Sequence, residues 1–312
     1  MKIPLLIFDI VLYYGIIGFM KKKELYKMRY IDLHTHTTAS DGTYTPSALV
    51  DYALTKGLAA IAITDHDTID GIPPARNHLG INKDLEIISG IEFSTNSPYL
   101  KSDIHILGLY INEMDPHFTS ALLDIVKSRN ERNLRMVEKL CDMGLKLTIE
   151  DVIRNSSNGI ITRAHFGRAL LQKGYIKNLN DAFTKYIGTG CPAFIPRHKL
   201  TPEKAIKMIN DCGGIAVLAH PTLYHLNLRE LDCLIQELAK QGLKGIEGLY
   251  SLYNKSEINY LQDFANQYNL LITGGSDFHG TNKAGIDLGV GRGQLKIPYE
   301  LLEPIKLECK RL

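Results

Sequence analysis

His34 and His36 stand one residue apart at the end of the apolar run 30–33, and Asp41 follows five residues later. On a β-strand, residues i and i+2 face the same side. Both imidazoles can therefore aim at one metal ion, which neutral imidazole binds readily. The pair alone is a weak signal. It gains weight from Asp65-His66-Asp67, Glu92, His105, His220-Pro221 and Asp277-Phe278-His279, each tied to a further apolar run.

The candidate ligand set is thus His34, His36, Asp41, His66, Glu92, His105, His220, Asp277 and His279. Imidazole and carboxylate without thiolate suit Mn²⁺, Zn²⁺ or Fe²⁺ better than a Cys-rich structural zinc site. The set exceeds the needs of one ion, so two or three divalent ions are expected, manganese ahead of zinc or iron. Such ions, about 3.5–4 Å apart, can bridge a hydroxide and brace the oxygens of a phosphoester during in-line displacement. The expected chemistry is phosphoester hydrolysis by a metal-bound hydroxide, with His34, His36, Glu92, Asp277 and His279 at its centre. A metal-bound water or His279 would protonate the leaving group.

Each residue also has a plainer reading. Asp41-Gly42 is a common turn dipeptide, His220-Pro221 can be only a turn, and His105 can pair inside the core. Glu92 is harder to explain away, because a carboxylate ending an apolar run is rarely buried without a partner. Asp65 and Asp67 flank His66 and are expected to orient it, or a helix N-terminus.

Strand-like runs at 30–33, 59–63, 86–91, 104–110, 215–219, 245–249 and 270–273 must position these groups. Thr45-Pro46 and Gly57 bracket a helix over 46–56, and Thr201-Pro202 starts another that ends before Gly213-Gly214. Strands interleaved with helices favour a parallel α/β barrel. In such barrels the carboxyl ends of the strands converge on one site. His105 fits less well, lying near the start of its run. Residues 112–200 break the rhythm and read as a helical insert, with helices over Leu122–Met143 and Arg163–Lys173 and a capping box at Thr148–Asp151.

Composition bounds the function. The 312 residues, 45% hydrophobic and 22% charged, suit a large globular barrel. A net charge of +2 gives no polyelectrolyte signature, so no stable double-stranded nucleic-acid partner is expected. Five scattered cysteines read as reduced thiols of a cytoplasmic protein. Residues 3–20 are almost wholly apolar and precede Lys21-Lys22-Lys23, with Asp9 in their midst. That order is the reverse of a secretory signal. Three readings stand for residues 1–27: translated upstream sequence with a start at Met20 or Met28, a weak membrane anchor, or a helix packed on the domain. Membrane contact is expected only through residues 3–20, and the barrel spans 28–312.

The ordered strings His34-x-His36, Ser40-Asp41-Gly42, Thr64-Asp65-His66-Asp67-Thr68, Gly90-Ile91-Glu92, His105-Ile106-Leu107-Gly108, Ala219-His220-Pro221 and Gly275-Ser276-Asp277-Phe278-His279-Gly280 resemble the polymerase-and-histidinol-phosphatase superfamily. The resemblance implies a distorted seven-stranded TIM-like barrel with a trinuclear metal site. It assigns His34, His36, Glu92 and Asp277 to a first ion, Glu92, His105 and His220 to a second, and Asp41, His66 and His279 to a third. The string Asp41-Gly42-Thr43-Tyr44-Thr45-Pro46 and the insert are similar to the branch of 3′,5′-nucleoside bisphosphate phosphatases, which includes enzymes trimming 5′ ends of short RNA. Histidinol phosphate or another small phosphomonoester is the alternative substrate. A non-catalytic, metal-stabilised module binding RNA or a partner is the alternative of another class.

Substrate contacts are sought in the insert. Arg163, His165 and Arg197 stand where the similar phosphatases carry basic residues. Lys127, Arg129, Arg132, Arg135 and Lys139 crowd one helix together with Glu131 and Glu138, and read as an ordinary solvated face. The sequence does not indicate an oligomeric state.

Overall fold

A computed structural model describes residues 28–96, 103–155, 159–196 and 199–310. Residues 1–27, with all three readings of the apolar segment, lie outside them, as does Arg197. No helix among the described residues is long and apolar enough to cross a membrane.

Seven strands form one sheet in chain order: β1 (Ile31–Thr35), β2 (Ala60–Ile63), β3 (Glu86–Thr95), β4 (Ile104–Leu109), β5 (Ile215–Leu218), β6 (Gly245–Tyr250) and β7 (Leu271–Gly275). β7 returns beside β1, where Asp277 N–H donates to His34 O at 2.8 Å and His36 N–H donates to Phe278 O at 2.9 Å. The sheet is thereby nearly closed into a barrel.

One feature departs from the parallel barrel expected. β4 runs antiparallel to both β3 and β5, while the remaining pairs are parallel. Its amino end therefore lies at the rim where its neighbours have their carboxyl ends. His105, second residue of β4, faces the site for that reason.

Helices α1 (Pro46–Thr55) and α2 (Ile72–Leu79) follow β1 and β2. α3 (Pro116–Asp142), α4 (Ile149–Ile153), α5 (Arg163–Gln172) and α6 (Leu179–Ala182) lie between β4 and β5, with α7 (Pro202–Asp211) leading into β5. α8 (Leu228–Lys240) and α9 (Lys255–Tyr268) precede β6 and β7, and α10 (Leu302–Cys309) ends the described chain. The caps are those the sequence announces: Thr45 and Thr201 each accept a backbone N–H of the first turn, and Thr148–Asp151 closes a reciprocal box.

Leu49, Val50, Ile61, Ile63, Ile206 and Ile235 belong to a core between helices and sheet. Ile31, Leu33, Ala60, Leu107 and Val217 instead join Leu302 and Ile305 of α10, which fills the barrel end opposite the site. Met136, Leu140, Phe166, Leu170 and Ile187 make a separate cluster within the insert.

Candidate metal centre

The structure brings all nine candidate ligands together on one rim. Four overlapping groups have mutually close donor atoms: His36, Asp41, His66 and His279; His34, His36 and Glu92; His34, His220 and Asp277; and His66, Glu92 and His105. Glu92 is the hub. Its Oε1 lies 2.8 Å from His105 Nδ1 and 3.1 Å from His220 Nε2, and its Oε2 lies 3.0 Å from His66 Nδ1 and 3.2 Å from His36 Nε2.

Local backbone irregularities aim these groups. β1 carries one extra residue between Asp32 and Thr35 relative to β2. Such a bulge breaks strict alternation, so Leu33 joins the interior cluster while the next residue, His34, reaches Glu92. Gly275 is required beside it, because a Cβ there would lie 2.1 Å from His34 Cβ. His220 (φ 28°) and Asp277 (φ 58°) occupy positive φ, a strain that persists where surrounding contacts enforce it.

The charges of the cluster are mutually dependent. Burial works against ionising Glu92 and Asp41, yet the surrounding imidazoles outweigh it and hold both carboxyls well below their usual range. Burial likewise opposes protonation of His279, but Asp41 and Asp277 raise it to about 10. His36, lowered by burial and by its neighbours His279 and His66, falls to about 3. The carboxylates thus hold protons on selected imidazoles, and divalent cations would take the place of those protons.

Unpaired atoms test the fit to metal. His34 Nε2, His36 Nε2, His66 Nδ1, His220 Nδ1 and Asp41 Oδ1 are buried without a hydrogen-bond partner. Buried polar atoms are ordinarily satisfied; these five converge in the one cluster of candidate ligands, while others, such as Asn210 Oδ1, lie outside it. The donor set and its geometry fit divalent cations.

The two flanking carboxylates act elsewhere than expected. Asp65 accepts Thr37 N–H at 2.7 Å, Thr37 O–H at 2.7 Å and Ser40 O–H at 2.6 Å. It therefore fixes the loop carrying His36 and Asp41 rather than the His66 ring. Asp67 accepts Ser94 N–H at 3.2 Å and pairs with Arg129.

A cleft of about 350 Å³ opens from this rim toward the insert. Asp41, His66 and His105 line it together with Arg129, Arg132, Arg163, Phe194 and Lys199. Of the residues proposed for substrate, Arg163 is in this lining. His165 is buried with its Nδ1 accepting Thr162 N–H at 3.0 Å, which closes the first turn of α5. Arg129 and Arg132 correct the expectation of a wholly solvated face: both are buried, whereas Lys127, Arg135 and Lys139 are exposed. The missed signal was spacing. Phe118, Leu122, Arg129, Arg132, Met136 and Leu140 form one buried helical stripe, so two cations interrupt an apolar face. Glu247 was missed as well; it is fully buried on β6, with Oε1 3.0 Å from His34 Nδ1.

A barrel rim of clustered imidazoles and carboxylates with a cationic cleft beside it is the centre of a metal-dependent hydrolase. Residues 32–196 match the PHP domain family, and the chain belongs to that family. The 5′-3′ exoribonuclease Rnm of Escherichia coli strain K12 is 36% identical over 249 residues, covering 80% of this chain and 84% of that protein. A 3′,5′-nucleoside bisphosphate phosphatase of Chromobacterium violaceum is 30% identical over 263 residues, covering 84% and 91%. In three dimensions the chain is similar to a protein from Bifidobacterium adolescentis described as a metal-dependent phosphoesterase, with a TM-score of 0.77 and 28% identity over 90% of this chain and 96% of that one. The chain is a metal-dependent phosphoesterase.

Proposed function

We propose that the substrate is a nucleotide phosphorylated at both its 3′ and 5′ positions, attacked at the 3′ phosphorus. A 3′,5′-nucleoside bisphosphate and the first nucleotide of a short 5′-phosphorylated RNA share that unit. They differ only in whether the 3′ phosphate carries a further nucleotide. The names of the two curated relatives, a bisphosphate phosphatase and a 5′-3′ exoribonuclease, support the shared unit.

The observation that carries this reading is one cleft lined both by metal-centre residues and by Arg129, Arg132, Arg163 and Lys199, the last paired with Asp103. Guanidinium groups bind phosphate through paired, charge-assisted hydrogen bonds. The insert cations hold the 5′ phosphate while the rim takes the 3′ phosphate. Two or three divalent ions, manganese ahead of zinc or iron, supply the Lewis acidity that activates water and offsets phosphoryl charge. Glu92 would be shared between ions, with Oε1 facing His105 and His220 and Oε2 facing His66 and His36. His279 has its Nδ1 3.0 Å from Asp277 O and its Nε2 3.3 Å from Asp41, so it would serve as a ligand, and a water at the centre would protonate the leaving oxygen. The catalytic unit is the barrel of 28–312, with 112–200 as an inserted helical subdomain; its separate hydrophobic cluster supports that division. The free thiols at all five cysteines support a cytoplasmic setting.

Parallel assays with Mn²⁺ on adenosine 3′,5′-bisphosphate, a short 5′-phosphorylated RNA and histidinol phosphate test this reading. The first two should exceed the third in kcat/KM by about tenfold or more, since an unfilled polar subsite sacrifices transition-state binding. Preference for histidinol phosphate would overturn it.

A further inference from the structure

Six of the seven strands deliver candidate ligands from their rim ends or the loops just beyond; β6 delivers none of the nine. It is nevertheless not an idle stave. Glu247 is fully buried on β6, and its two oxygens serve two ligands on different strands: Oε1 lies 3.0 Å from His34 Nδ1, and Oε2 accepts the backbone N–H of His220 at 2.7 Å. Three residues on, Tyr250 donates its O–H to Asp277 Oδ2 at 2.7 Å. His34, His220 and Asp277 are one of the groups whose donor atoms converge.

The backbone is shaped for this. Residues three apart on a regular strand face opposite sides. Glu247 pairs with Thr273 and Leu249 with Gly274, so Gly248 is an extra residue, and the bulge turns Glu247 and Tyr250 toward the same site. Each contact settles a separate variable. A carboxylate at Nδ1 keeps that nitrogen protonated and leaves the Nε2 lone pair of His34 free for a cation. The bond to His220 N–H restrains a non-glycine residue at φ 28°, directly before Pro221. Tyr250 occupies Asp277 Oδ2 and leaves Oδ1, which lies 3.7 Å from His34 Nε2 and 3.5 Å from His36 Nε2.

We propose that β6 is a positioning strand, on which Glu247 and Tyr250 hold His34, His220 and Asp277 in the arrangement that binds a divalent cation. Neither residue contacts the substrate; both act through the ligands. The inference rests on the metal-centre reading and not on the choice of nucleotide, so it is tested without substrate.

The measurements are Mn²⁺ affinity by calorimetry and the visible d–d spectrum of the Co²⁺-loaded protein, for wild type, Glu247→Gln, Tyr250→Phe and Ile246→Val. Glutamine has one carbonyl oxygen for two N–H donors, and its amide N–H₂ confronts the other. Glu247→Gln should weaken Mn²⁺ binding about 10–100-fold and shift the Co²⁺ bands, the range found when such supporting partners are removed. Tyr250→Phe should act in the same direction by less, and it covers the case in which Glu247→Gln fails to fold. Ile246→Val, at a buried neighbour in the hydrophobic core, should lower the melting temperature and leave both metal readouts unchanged. Wild-type affinity and spectra in Tyr250→Phe and in folded Glu247→Gln would overturn the proposal. So would equal losses in Ile246→Val.

Discussion

On the barrel rim, each candidate ligand is tied down by its strand or by a buried neighbour: His34 by Glu247, Asp277 by Tyr250 and Lys283, and the His36–Asp41 loop by Asp65. Across the cleft, charge comes from side chains on insert helices and loops, among them Arg129, Arg132 and Arg163, whose direction depends on how the insert packs. The rim is a set of fixed points of the kind that chemistry needs. The insert brings cations to a distance set by α3 and α5, as suits holding one part of a substrate. Damage to the rim should therefore appear in turnover, and damage to the insert in substrate affinity or in stability.

The largest effect is expected at Glu92. Glu92→Ala should reduce kcat by about 10³-fold or more, because several kcal/mol of charge stabilisation depend on the ions it joins. Far-UV circular dichroism should stay near that of wild type. Turnover within tenfold of wild type would remove Glu92 from the centre of the account.

On the insert side, His165 makes stability depend on pH. Burial, reinforced by Arg168 and Arg129, lowers its pKa from 6.5 to about 4. The folded state thus keeps this imidazole neutral while the unfolded chain takes up a proton below pH 6.5. Stability is complete above that value and is lost as pH falls, by about 2 kcal/mol at pH 5. Urea unfolding of the metal-stripped protein at pH 7 and pH 5 measures it. His165→Gln keeps an oxygen for Thr162 N–H but does not titrate, so it should lose less between the two pH values; an equal loss would assign the effect elsewhere.

Arg132→Ala separates the regions most cleanly. KM for adenosine 3′,5′-bisphosphate should rise about tenfold, the worth of a charged hydrogen bond, while kcat changes little. A fall in kcat with unchanged KM would make Arg132 part of the rim's chemistry. Smallest is Thr148→Ala, which removes the N-cap of α4 and should cost about 1 kcal/mol of stability with kcat and KM unaffected.

The same contrast explains what could be read from the sequence. Strand-end histidines and acids stand out because burying them without partners is costly, and the nine converge as their spacing suggests. His105 fitted poorly only because every strand was taken as parallel; reversing β4 carries its amino end to the rim, and nothing within Ile104–Leu109 announces that reversal. Glu247 and Tyr250 escaped because their spacing puts them on opposite faces unless a bulge intervenes, and Gly248 is the sole local hint. Arg129 and Arg132 were legible in principle, as cations on an apolar stripe, but a basic helix with interleaved acids looks the same whether it faces solvent or substrate. Asp65 holds the His36–Asp41 loop through Thr37 and Ser40, a link that its place beside His66 in the sequence does not reveal.

The central claim is that one multi-ion centre on the rim performs the hydrolysis. Elemental analysis of the purified protein, before and after exhaustive chelation and again after Mn²⁺ is restored, tests it most directly when each sample is also assayed on adenosine 3′,5′-bisphosphate. Two or three divalent ions per chain are expected, with loss of both ions and phosphate release on chelation and recovery of both together. Undiminished phosphate release from protein stripped of divalent ions would contradict it.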